Sequence, residues 1–206
     1  KRIIRFDKPI VFAIFMVMKT ILYIHGLSSS GESGTVRHLQ DLLPETRVIA
    51  PDLPIDPDEV LEMLHTLVAS EHPDMVIGTS MGGMFAQQLY DCKKIIVNPA
   101  FHVSRTMRKQ IGICPFLNPR KDGATTYTIT SALCDRYEET EHRQFDGVTD
   151  EAVEKTWALF GAHDTVVNCR EEYLQHYRNC MTFDGEHRLS YENIRDILVP
   201  LVCKSI

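Results

Sequence analysis

The sequence predicts an α/β fold, a compact, doubly wound and mostly parallel sheet with helices on both faces and a lid-like insertion. Three observations carry that prediction. Short apolar runs recur along the chain: ILYI (21–24), RVIA (47–50), MVIG (75–78), KIIV (94–97), WALF (157–160) and MTF (181–183). Their unbroken apolar character implies strands buried on both faces, as in a parallel sheet sandwiched by helices. Amphipathic stretches with helix-start signals alternate with these runs. Finally, one long span, about 102–150, separates KIIVNPA from TWALFGAHD without a clear buried strand. Cys114-Pro115, Asn118-Pro119 and Asp122-Gly123 punctuate it as loop, and an insertion of this length in a compact domain serves as a lid or binding loop.

From the N-terminus, KRIIRFDKPIVFAIFMVMKT places four basic residues before nine apolar ones, Ile10 to Met18. That run suits a signal-peptide core in length but is too short to span a bilayer. No small-residue cleavage site follows, and the run leads directly into the first strand. Residues 1–17 are therefore read as an ordered extension or homodimer contact, with Met18 a candidate start, and residues 18–206 as one domain. Asp56-Pro57-Asp58-Glu59 offers an N-cap, a proline at the first helical position and a capping-box acid. Val60, Leu61, Leu64, Leu67 and Val68 follow as one helical stripe. Ser190 is placed to cap a last helix carrying Ile194, Ile197, Leu198 and Leu201.

Composition narrows the function. The chain is 44% apolar and 24% charged, with a formal charge of −6, which argues against a general nucleic-acid binder. Its six cysteines (92, 114, 134, 169, 180 and 203) include no C-x-x-C pair. They are read as reduced, mostly buried thiols of a cytoplasmic protein rather than a zinc site or disulfide framework. No metal ligand set and no cofactor motif is expected.

Gly78-Thr79-Ser80-Met81-Gly82 spells G-x-S-x-G directly after the apolar run MVI and before the helical stretch GMFAQQLY. In such an elbow the chain turns sharply from strand to helix, and small residues two before and two after the serine prevent clashes across the turn. A serine hydroxyl needs a base, oriented by a carboxylate, and in this fold the order is serine, acid, histidine. Asp164 lies just beyond WALFGAH and His187 just beyond MTFDGE, so 80, 164 and 187 fit that order. Asp164 could alternatively cap a following helix. His163 is the nearest rival to His187, but its adjacency to Asp164 points it away from the serine.

The loop ILYIHGLSSSGES (21–33) contains G-x-x-x-x-G, yet Glu32 stands where a phosphate-binding loop has lysine. It reads better as a loop that lends the Leu27 N–H to an oxyanion hole together with the Met81 N–H. His25 is read as structural.

YIHGLSSSG, VIAPDLP, IGTSMGG, VNPA, GAHDTVV and GEHR, in that order, resemble the α/β-hydrolase superfamily and, more closely, its small bacterial YqiA-like esterase family. The resemblance runs from about Met18 to the C-terminus. It implies a compact α/β-hydrolase fold, a Ser80–Asp164–His187 triad, and hydrolysis of small-molecule carboxylic esters or acyl thioesters without a cofactor. A non-catalytic binding module on the same fold is the alternative. Outside the resemblance, residues 102–124 carry five basic side chains (Arg105, Arg108, Lys109, Arg120, Lys121) against one acid, Asp122. They form either a solvated loop balancing an acidic body or a site for an anionic leaving group, with Arg105 and Arg108 the first candidates.

Overall fold

The structure is a computed structural model that describes residues 18–206. The extension expected over residues 1–17 lies outside the described residues. In chain order the elements are β1 (Lys19–Ile24), α1 (Gly34–Leu42), β2 (Thr46–Ile49), α2 (Pro57–Glu71), β3 (Met75–Thr79), α3 (Met81–Gln87) and β4 (Lys94–Val97). They continue with α4 (Val103–Met107), β5 (Gly112–Pro115), β6 (Thr126–Ile129), α5 (Ser131–Arg143), α6 (Asp150–Lys155), β7 (Thr156–Gly161), α7 (Arg170–His176) and β8 (Asn179–Phe183). The chain closes with α8 (Tyr191–Asn193), a π-helical turn over Ile194–Leu198 and α9 (Val199–Ser205). Pro200 has no N–H to return to the Asp196 carbonyl, which accounts for the widened turn before it.

All six apolar runs are strands of one sheet, in the order β2-β1-β3-β4-β7-β8, and every pairing is parallel. Alternation along each strand sorts the core into two layers. Leu22, Ile24, Val76, Ile96, Ala158 and Phe160 face one layer, which α2, α3, α5, α6 and α7 cover. Ile21, Tyr23, Ile77, Ile95, Val97 and Leu159 face the other, covered by α1 and the C-terminal helical segment. The central β3 and β4 are buried almost throughout, whereas β2 and β8 are only partly buried. Uniform burial was expected of RVIA and MTF as well; it fails there because both are edge strands with a neighbour on one side only.

Asp56 caps α2, accepting from the Asp58 and Glu59 N–H groups at 3.0 and 3.4 Å. Among the described residues Glu59 returns no bond to the cap. The reciprocal box forms instead at Ser190, whose hydroxyl accepts from the Asn193 N–H while the Asn193 side chain accepts from the Ser190 N–H. The 102–150 span contains α4, α5 and an antiparallel hairpin, β5–β6, separate from the main sheet. On that hairpin Tyr127 and Ile129 point inward and are buried, while Ile113 is 78% exposed. The strands escape an apolar-run reading because alternating Thr-Tyr-Thr-Ile is a one-sided pattern. All six cysteines are free, but only Cys134 and Cys169 are buried; Cys203 is exposed and the others are partly so.

The sheet changes direction at β1, with β2 on one side and β3 on the other. In open α/β sheets such a switch point leaves a crevice beyond the carboxyl ends of the strands. The loop after β1 and the turn after β3 both open there.

Candidate active site

Ser80 occupies the turn between β3 and α3 with φ 55° and ψ −122°, a backbone region costly for a non-glycine residue. The turn is over-determined by its surroundings. The Ser80 N–H donates to the Val97 carbonyl at 3.0 Å, and the Ser80 carbonyl accepts from Ala100 and Gly83 at 3.0 and 2.9 Å. A Cβ on Gly78 would lie 2.3 Å from the Gly82 carbonyl oxygen, and one on Gly82 would lie 2.1 Å from that of Ile24. Both glycines of the pentapeptide are thus required by close backbone approach.

The three side chains singled out in the sequence meet in one hydrogen-bonded line. His187 Nε2 lies 3.0 Å from Ser80 Oγ, and His187 Nδ1 lies 2.8 Å from Asp164 Oδ2. A carboxylate only accepts, so Nδ1 carries the proton and Nε2 is left to accept from the hydroxyl. The Asp164 side chain is 5% exposed and that of His187 16%. Asp164 Oδ1 meanwhile accepts from the Val166 and Val167 N–H groups at 2.8 and 3.0 Å. The alternative of capping the following helix does not hold, since α7 starts at Arg170 with Cys169 at its N-cap. Oδ1 instead orders the loop that carries Asp164, while Oδ2 faces the histidine. His163 points outward to Asp184, 2.9 Å away.

The loop after β1 lies directly against the serine, for a Cβ on Gly26 would stand 3.2 Å from Ser80 Cβ. His25 fixes it. Its Nδ1–H donates to the Gly26 carbonyl at 2.8 Å, and its Nε2 accepts from the Leu53 N–H at 3.1 Å. Burial pushes the His25 pKa down to about 4, so the ring is neutral, as an accepting Nε2 requires. The Leu27 N–H has no acceptor among the described residues. The Met81 N–H, first in α3, has none within its helix.

Two residues of this neighbourhood carry no catalytic signal in the sequence. Asp52 accepts from Gly31 N–H with one oxygen and from Lys121 N–H with the other, at 2.8 and 2.7 Å. It thereby ties the β1 loop to the arm of residues 102–149. Further links are the Leu117 N–H to the Ser28 carbonyl, the Ser30 hydroxyl to the Pro119 carbonyl, and the Ser28 and Tyr127 hydroxyls 2.5 Å apart. The second residue, Asn98, follows β4 with φ 44° and is buried. An Asn-Pro pair just past a buried strand is the only hint of it.

Arg108 donates to Asp135 at 2.7 Å and to Glu138 at 2.6 Å. Among the described residues Arg105 makes no ion pair. The Arg120 side chain, 7% exposed, is spent on Asp122, on the Leu53 carbonyl and on the Phe116 ring. Among the described residues no group of three or more His, Cys, Asp or Glu is placed to hold a metal ion, and no helix is long and apolar enough to cross a membrane.

Residues 20–202 match the model of a family described as "Uncharacterised protein family (UPF0227)". Among solved structures, Est1E from Butyrivibrio proteoclasticus superimposes with a TM-score of 0.62 at 17% identity, over 91% of this chain and 88% of that one. A pyrethroid hydrolase from Sphingobium faniae JZ-2 gives 0.58 at 13%, over 90% and 96%. The thioesterase domain from the curacin biosynthetic pathway gives 0.58 at 14%, over 92% of each chain. At these identities the likeness is one of fold, and the fold is that of the α/β-hydrolases.

Proposed function

This chain belongs to the UPF0227 family, the YqiA-like family, and from that premise we propose that it is a serine hydrolase acting on small-molecule carboxylic esters or acyl thioesters. The observation that carries the reading is the Ser80–His187–Asp164 line set on a strained strand-to-helix turn. The neighbours named as a pyrethroid hydrolase and a thioesterase domain support the same substrate range.

In this mechanism Ser80 Oγ attacks the acyl carbon while its proton passes to His187 Nε2. Asp164, hydrogen-bonded to Nδ1–H, stabilises the imidazolium. The negative charge on the carbonyl oxygen develops toward the Leu27 and Met81 N–H groups. Collapse breaks the bond to the alcohol or thiol, which leaves with the proton from Nε2. Water then attacks the acyl-enzyme by the same path, releasing the acid and restoring Ser80. The backbone N–H groups do the electrophilic work, so exhaustive EDTA treatment is expected to leave activity intact.

A fluorophosphonate probe tests the reading. Covalent labelling of wild type and none of Ser80→Ala is expected. Hydrolysis of p-nitrophenyl esters and acyl-CoAs of graded chain length should fall by roughly 10⁴–10⁶ in kcat in that variant. An unlabelled wild type, or full activity in Ser80→Ala, would overturn the reading and leave a binding module on this fold.

A further inference from the structure

We infer that Asn98 is a positioning residue that holds the loops carrying Asp164 and His187 in register with Ser80; the inference rests on the functional reading just given. Three loops from the ends of β3, β7 and β8 must agree to within a fraction of an ångström for the Ser80–His187–Asp164 line to form. None of the three is adjacent to both others in sequence, and the segment that touches all of them is Val97-Asn98-Pro99-Ala100.

Its backbone grips the serine. Val97 accepts from the Ser80 N–H and Ala100 donates to the Ser80 carbonyl, each at 3.0 Å. Its one polar side chain grips the other two loops. Asn98 Nδ2 donates to the carbonyls of both Glu186 and His187 at 3.0 Å, and Oδ1 accepts from the Gly161 N–H at 2.7 Å. Gly161 ends β7, three residues before Asp164, and its carbonyl accepts from the Asp164 N–H at 3.3 Å. The amide orientation is dictated by its partners, because a reversed amide would set oxygen against two carbonyl oxygens and nitrogen against an N–H.

No other side chain meets these demands together. The site requires a donor with two hydrogens, an acceptor on the same planar group, and a backbone at φ 44°. Asparagine tolerates that conformation better than any residue but glycine, which has no amide. Aspartate matches the shape and keeps the acceptor, yet sets a carboxylate oxygen against two carbonyls. Asn98 is 1% exposed, so these bonds are sheltered from water and their loss leaves buried polar groups unpaired.

The test compares wild type with Asn98→Gly, which keeps the backbone and deletes the amide, and with Asn98→Asp, which keeps the shape and serves should the glycine variant fail to fold. Far-UV circular dichroism checks folding. With a neutral p-nitrophenyl ester, kcat should fall by roughly 10²-fold with KM unchanged, as a displacement of about an ångström costs. The Asn98→Asp defect should shrink relative to wild type as pH is lowered, because a protonated carboxyl regains one donor. The strongly downfield proton NMR signal of the His187 Nδ1–H, present in wild type, should be lost or broadened in both variants. A folded variant that keeps that signal and a near-wild-type kcat overturns the assignment. The signal needs no turnover, so if wild type hydrolyses no ester, the functional reading fails while the resonance alone still decides the role of Asn98.

Discussion

The strand-end cluster around Ser80 and the arm of residues 102–149 are joined by several hydrogen bonds, yet they are built in opposite ways. In the cluster the side chains of His25 and Asn98 are buried, and each has specified partners. Its backbone includes left-handed residues that are not glycine, Ser28, Ser80 and Asn98. Its Gly78, Gly82 and Gly161 sit where a methyl group would strike main-chain atoms. In the arm Arg108 pairs with Asp135 and Glu138 at the surface. Gly112 and Gly123, with φ of 131° and 75°, have nothing within 4 Å of a Cβ. The cluster is held by hydrogen bonds among distant segments, whereas the outer surface of the arm is set by its own turns and ion pairs. Substitutions should therefore be costly and specific in the first region and mild on the exposed surface of the second.

The largest contrast lies in chemistry. Asp164→Asn should lower kcat for a p-nitrophenyl ester by roughly 10⁴-fold, since an amide no longer holds the proton on Nδ1. Asp135→Asn, in the arm, should leave kcat alone. Equal kcat values for the two variants would erase the distinction between the regions.

Glycine replacement sharpens the comparison in stability. Gly82→Ala forces a Cβ to within 2.1 Å of the Ile24 carbonyl oxygen and 2.7 Å of that of His25. It should cost more than about 4 kcal/mol, the range reserved for severe packing clashes. Gly123→Ala meets only backbone strain and should cost about 1 kcal/mol. Urea titrations of the two variants read the difference directly.

A smaller effect concerns acid. The His25 pKa of about 4 lies below its ordinary 6.5, so between those values the unfolded chain binds more protons than the folded one. Stability from this group is complete above about pH 6.5, drains away as pH falls toward about 4, and is worth roughly 3 kcal/mol in full. His25→Gln, which has an acceptor but no titration, should narrow the stability gap between about pH 7 and about pH 4.5 by roughly 2 kcal/mol. An unchanged gap would show that the ring is not held neutral beside the β1 loop.

The smallest effect belongs to the arm's cations. Arg108→Gln should leave Tm and the KM values of both an acyl-CoA and a neutral ester where they are, its charge being already compensated and exposed. Arg105→Gln discriminates the two readings of the basic span. A KM raised for the acyl-CoA alone, and a salt dependence confined to that substrate, would give the arm a part in recognising an anionic leaving group. Identical behaviour of both substrates would leave it a solvated lid.

Much of this architecture was legible in the chain. The six strands of the sheet announce themselves as apolar runs, most clearly the central ones, where burial on both faces leaves no room for alternation. Ser80, with glycines two residues to either side, is legible because the steric demand of the elbow is local. Asp164 and His187 could be picked out as residues just past strand ends. Hydrogen bonding among the three belongs to tertiary structure, since it depends on loops brought together by strand order. The same holds for Asn98, a residue with no catalytic chemistry of its own, whose three partners lie 63 to 89 positions away. The β5–β6 hairpin is likewise placed by packing, with Tyr127 and Ile129 buried in the core and the Tyr127 hydroxyl meeting Ser28. Periodicity and local sterics are written along the chain and can be read there. A polar contact between distant segments has no period, and the folded sheet alone decides which amide meets which carbonyl.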